Sequence, residues 1–157
     1  KTYPDHEDGV TKEIPKMTPG DKVIGDEPGG AITDKGVGVF IAGGAGVTPY
    51  IPILRRRAKD GTLNGCTLIY SNKTERDIIL RSEWESMSGL KTVFTVTDED
   101  SAAVETGMID EGFLKKHLDG LDQRFYLCGP KQMVNDIRDA LKRIGVDEDN
   151  IVTENGW

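Results

Sequence analysis

Val37-Gly-Val-Phe-Ile-Ala-Gly-Gly-Ala-Gly-Val-Thr-Pro49 is the stretch whose reading decides the fold. An apolar run over 37–42 has the length of a buried strand and ends directly in glycines. A helix is expected over 48–57, with Thr48 as its cap and Pro49 in the first turn, where a missing N–H costs nothing. The glycines let a ligand approach the backbone closely. The helix N-terminus offers free N–H groups and a positive dipole end to a pyrophosphate. A tight strand–helix turn without a ligand satisfies the same residues. The Gly-Lys-Ser/Thr tripeptide of a P-loop is absent. Thr48-Pro49 stands where the standard dinucleotide fingerprint has its third glycine.

The alternation continues outward from this turn. Strands are expected over 66–71, 92–97, 124–128 and 150–154, and helices over 77–87, 110–118 and 130–144. In the last helix Met133, Ile137, Ala140, Leu141 and Ile144 recur at spacings of three and four. Ile78, Ile79 or Leu80, and Trp84 supply the buried stripe of 77–87. Five strands alternating with helices predict an α/β fold: a parallel sheet of order 3-2-1-4-5 with helices on both faces. The acidic stretch 98–107 reads as a loop. Residues 1–35 differ, with Pro4, Pro15, Pro19, Pro28 and several glycines punctuating what read as short strands. We therefore divide the chain into a fragment of a β domain, 1–35, and an α/β domain, 36–157.

A second turn, Phe125-Tyr-Leu-Cys-Gly-Pro130, again ends a strand and opens a helix at proline. Alone, it reads as Cys128 in a core and Pro130 starting a helix. In the order 3-2-1-4-5, strands one and four are neighbours at the switch point, where open α/β sheets bind ligands. The two glycine turns follow those two strands.

Composition narrows the function. The 157 residues suit one domain with an appendage. The net charge of −7, from 27 acidic and 20 basic residues, argues against a nucleic-acid partner. No run approaches the ~20 apolar residues of a membrane span. Arg55-Arg56-Arg57 reads as the solvated end of a helix. Cys66 and Cys128 are too few for a disulfide scaffold, so a reduced, cytoplasmic setting is expected. His6 and His117 read as surface residues without metal-ligand spacing, Cys66 as core, and Trp84 as helix–sheet packing.

Ile41-Ala-Gly-Gly-Ala-Gly-Val-Thr-Pro49 and Tyr126-Leu-Cys-Gly-Pro130 resemble the two signature turns of the ferredoxin–NADP reductase family. Tyr70-Ser-Asn-Lys-Thr-Glu-Arg-Asp-Ile-Ile79 is similar to that family's segment after its second strand. The resemblance covers residues 36–157. It implies a flavin-linked NAD(P)H oxidoreductase, in which hydride passes from nicotinamide to flavin and electrons go on to an acceptor. It implies a pyridine-nucleotide site of Gly43, Gly44, Ala45, Gly46, Val47, Thr48, Pro49, Ser71, Asp98, Cys128, Gly129, Pro130 and Met133. Cys128, Thr48 and Glu154 would serve the chemistry beside the nicotinamide. The rival reading is a non-catalytic nucleotide-binding module whose flavin lies on a missing segment or a partner.

Residues 1–32 resemble only the last third of the family's flavin barrel. Gly9-Val10-Thr11 is similar to its flavin-phosphate turn, but the Arg-x-Tyr-Ser segment is absent. Either the chain is a fragment, or a second copy or partner completes the barrel, or FAD binds weakly. Glu154-Asn-Gly-Trp157 resembles the family's ending, which implies Trp157 near the flavin. Phosphate-selective members end their third strand in Ser-Arg. Here Thr97-Asp98 follows, so NADH is expected over NADPH, with Lys73 and Arg76 as the cations that could oppose this.

Overall fold

The computed structural model describes residues 10–154 apart from Asp26 and Pro28. His6, Gly9, Pro28 and Trp157 therefore lie outside the described residues. Six strands form one sheet: β1 (Gly38–Gly43), β2 (Cys66–Asn72), β3 (Leu90–Val96), β4 (Glu105–Thr106), β5 (Arg124–Cys128) and β6 (Ile151–Thr153). Their spatial order is β4-β3-β2-β1-β5-β6, and every pairing is parallel. The expected order is present in β3-β2-β1-β5-β6. The correction is β4, two residues inside the stretch read as a loop. It forms because Thr95 and Val96 pair with Glu105 and Thr106, and the Thr95 hydroxyl donates to the Gly107 carbonyl at 2.8 Å.

The helices are α1 (Val10–Glu13), α2 (Tyr50–Lys59), α3 (Arg81–Ser86), α4 (Glu111–His117) and α5 (Lys131–Arg143). β1 is buried at every position, as a central parallel strand must be. Its side chains alternate between two cores. Phe40 and Ala42 join Tyr50, Leu54, Tyr70, Trp84 and Tyr126 on the α2 face. Val39 and Ile41 join Leu114, Val134, Ile137 and Leu141 on the α5 face. The α5 stripe centres on Val134, which the spacing argument passed over, while Met133 and Ile144 are only half-buried.

Several expectations are corrected. The described residues before β1 hold α1 and a 3-10 turn, Ile14–Lys16, and no strand. Helix α3 starts at Arg81, later than expected, because Leu80 adopts a left-handed φ of 59° that helix propagation excludes. Thr48 does not cap α2. A 3-10 turn, Gly44–Val47, runs into the helix, and Pro49 is the cap residue without a side-chain bond. Arg57 is buried, not solvated: it pairs with Asp34 at 2.6 Å, and Arg55 and Arg56 pair with Glu83 and Asp60. His117 packs against the Phe113 ring and faces Glu105 at 3.5 Å, with its side chain 13% exposed. Among the described residues no helix is long and apolar enough to cross a membrane.

The segment entering β1 is fastened to the sheet. The Tyr126 hydroxyl donates to the Gly36 carbonyl and accepts from the Lys35 N–H. At the opposite end of the strands, the Ala31 N–H donates to the Glu154 carboxylate at 3.2 Å.

Candidate functional site

A cleft of about 560 Å³ opens beyond the carboxyl ends of β1, β2, β3 and β5. That volume falls within the usual range for a small-molecule site. Its floor is the two glycine turns. Gly43 and Gly46 on one side meet Cys128, Gly129 and Met133 on the other. A Cβ at Gly43 would sit 2.5 Å from the Met133 sulfur, and one at Gly46 would sit 2.7 Å from the Gly129 Cα. Gly44 has a left-handed φ of 53° and faces open space. The turns touch because β1 and β5 pair directly, with Ala42 opposite Cys128.

Of the expected site residues, Gly43, Gly44, Ala45, Gly46, Ser71, Cys128, Gly129, Pro130 and Met133 line this cleft together. Val47, Thr48 and Pro49 do not line it: Val47 is buried in the α2 core, and Thr48 is exposed beyond the 3-10 turn. Asp98 does not line it either: it follows the lining residue Thr97, exposed, 3.9 Å from the Lys73 ammonium. Val10 and Thr11 begin α1. Glu154 follows β6 near the Cys128 thiol.

The cleft also takes in Asn72, Asp77 and Thr97, which are not among the expected site residues, and Lys73, expected only as a cation that could favour a 2′-phosphate. One signal could have found them: a parallel sheet gathers the residues just past its strand ends on one edge. The ladder continues beyond the strands, with Thr97 N–H donating to the Asn72 carbonyl and Asp98 N–H to the Lys73 carbonyl. Thr97 also donates its hydroxyl to Asp98 at 2.8 Å.

Burial pushes the Cys128 thiol above its ordinary range, and the Glu154 carboxylate adds to the rise. The thiol therefore stays protonated near neutral pH and is not primed as a nucleophile. Burial likewise lifts Tyr50 well above the usual phenol range, with Cys128 and Glu154 contributing. The cleft can hold an extended anionic ligand: main-chain N–H groups of a glycine turn lie on one wall, Lys73 on another, and a neutral thiol at the floor.

Comparisons with known proteins agree with this geometry. Residues 40–139 match the family of oxidoreductase NAD-binding domains. NADH-cytochrome b5 reductase 2 of Danio rerio is 27% identical, the match covering 96% of this chain and 59% of that protein. The chain thus spans little more than half the length of that relative. Among solved structures, the flavohem-like FAD/NAD binding domain of nitric oxide dioxygenase from Vibrio cholerae superposes with a TM-score of 0.70 at 25% identity, over 78% of this chain and 52% of that one. A ferredoxin NADP+ reductase from Neisseria gonorrhoeae, with bound FAD and NADP, shares the fold with a TM-score of 0.65 at 22% identity, over 76% of this chain and 55% of that one. Sheet order, paired glycine turns and the family match lead to one statement: the chain belongs to the family of oxidoreductase NAD-binding domains and has the fold of that domain in ferredoxin–NADP reductase.

Proposed function

We propose that this chain is the pyridine-nucleotide part of a flavin-linked NAD(P)H oxidoreductase, with NADH preferred and a further protein as electron acceptor. The observation that carries the reading is the contact between the two glycine turns at the switch point, which makes one cleft floor from β1 and β5. When bound, the nicotinamide and the flavin supply the hydride transfer itself, and the protein supplies position and electrostatics. On this reading the backbone of 43–46 holds the pyrophosphate. Cys128, Gly129, Pro130 and Met133 form the floor beneath the nicotinamide, and Thr48 and Pro49 steady the turn. Glu154 sets the polarity beside Cys128. Gly9, Val10, Thr11 and Trp157 belong to its flavin side. Two free thiols, Cys66 and Cys128, suit a reducing, cytoplasmic setting.

The NADH preference rests on Asp98. Its carboxylate can accept from ribose hydroxyls and repels a 2′-phosphate. A unit-charge pair at 4 Å costs about 1 kcal/mol in water and about 4 kcal/mol at an effective dielectric of 20. At an exposed position with Lys73 nearby, roughly a tenfold to hundredfold preference follows.

A second reading, a nucleotide-binding module without turnover, is favoured by one observation. The described residues before β1 contain no strand, so the flavin would be held by another segment or partner. Ferricyanide reduction by NADH and by NADPH, with and without added FAD, separates the two. A saturable rise with FAD, higher kcat/KM for NADH, and a shift toward NADPH in Asp98→Arg are expected. Background rates at saturating FAD, with NAD+ still bound in calorimetry, would establish the second reading. NADPH used as well as NADH would remove the role of Asp98.

A further inference from the structure

Tyr70 belongs to β2 and lies opposite Ala42 of β1. Its ring is fully buried in the α2-side core. The hydroxyl donates to the Gly44 carbonyl at 2.8 Å. The Ile79 backbone amide lies near the same oxygen. The Asn72 amide lies beside it, its nitrogen sealed from solvent without completing a hydrogen bond. Gly44 and Ala45 belong to one wall of the cleft; Lys73 and Asp77, in the segment leading to Ile79, belong to the other. The phenol therefore ties β2 to the Gly44 wall.

Peptide geometry turns this tie into a direction. The peptide bonds described are trans, so a carbonyl and the N–H of the next residue lie in one plane and point opposite ways. A Gly44 carbonyl held inward by Tyr70 aims the Ala45 N–H outward, and Ala45 is exposed on the cleft. Ala45 is in the first turn of Gly44–Val47, where no earlier helical carbonyl is available to accept that N–H. Glycine at 44 leaves this peptide free to rotate unless something holds it.

We infer that Tyr70 is a positioning residue for anion binding: its hydroxyl fixes the Gly44–Ala45 peptide so that the Ala45 N–H donates to a diphosphate oxygen in the cleft. The inference deepens the dinucleotide reading and rests on it.

The test compares Tyr70→Phe with Tyr50→Phe. Tyr50 is equally buried, but its hydroxyl donates to the Ile41 carbonyl within β1 at 3.1 Å. ADP is the diphosphate probe and adenosine the phosphate-free one. In Tyr70→Phe the ADP Kd should rise roughly 3- to 10-fold, the loss of one oriented hydrogen bond. Adenosine binding should be unchanged, and Tyr50→Phe should bind ADP like the wild type. In the wild type the Ala45 amide resonance should be among those ADP moves most. Unchanged ADP binding in Tyr70→Phe, equal weakening of ADP and adenosine, or an Ala45 amide that ADP leaves in place would overturn the inference. If Tyr70→Phe does not fold, the wild-type Ala45 resonance decides alone. A wild type that binds neither ADP nor NAD+ defeats the dinucleotide reading, a result distinct from binding that Tyr70→Phe leaves intact.

Discussion

Gly46 lies so close to Cys128 that a Cβ at position 46 would collide with the Cys128 carbonyl and with the Gly129 Cα. The two turns of the cleft floor therefore approach as closely as backbone allows, and a hydrogen side chain at 46 is what permits it.

Gly46→Ala must push the turns apart, because the atoms it meets are backbone and cannot rotate away. Overpacking of this kind costs about 1–3 kcal/mol. NAD+ affinity should fall roughly tenfold to hundredfold, as expected when bound groups shift by about an ångström. Gly44→Ala is the comparison: it meets no atom within 4 Å and is strained only by its left-handed φ. It should lower stability by about 1 kcal/mol without separating the turns. Thermal unfolding alongside NAD+ titration distinguishes them; equal loss of affinity in both variants would contradict the contact argument.

Cys128→Ala addresses the thiol. With the thiol held neutral by burial and by Glu154, the proposed role of Cys128 is packing beside the nicotinamide ring. Once FAD supports turnover, kcat should fall more than KM rises, the pattern of an interaction used mainly in the transition state. The wild-type kcat should show no thiol titration near neutral pH, because burial raises the Cys128 thiol. A lowered melting temperature with unchanged kcat would make Cys128 core packing and nothing more.

Asp34 predicts a pH dependence. Burial alone would push its carboxyl up, but the Arg57 hydrogen bond, the Gly36 N–H and the Arg57 charge together hold it below its ordinary 3.8. A carboxyl lowered in the folded state contributes stability that is present above its unfolded value and lost as pH falls through the folded one. Asp34→Asn should therefore be less stable than wild type by about 1–2 kcal/mol at pH 7, discounted from a fully buried pair because Asp34 is partly exposed. The difference should shrink as pH drops below about 4. Paired denaturant unfolding at pH 7 and pH 3 measures it; a gap independent of pH would mean the charge is not the cause.

Much of the site was legible in local sequence. A glycine turn needs small residues at fixed offsets, so 43–46 and Cys128-Gly129-Pro130 could be picked out and placed on one sheet edge. Asn72, Asp77 and Thr97 carry no such local mark. Each is an ordinary polar residue that joins the cleft only because β2 and β3 end beside β1. Arg57 departs from its local pattern for the same reason: a run of arginines looks solvated until a partner arrives from a segment 23 residues earlier. Strand β4 is two residues long, too short for any periodicity to register.

The sequence by itself determined the layered sheet, because strand-length apolar runs alternating with amphipathic helices can bury both faces in few other ways. It also determined where the chain turns without a Cβ. Only the tertiary structure decided that the two turns touch, that Tyr70 reaches Gly44, and that Thr48 and Val47 leave the cleft wall. These are contacts between residues up to about ninety positions apart, set by strand register and by how closely backbone can pack, and no local pattern encodes them.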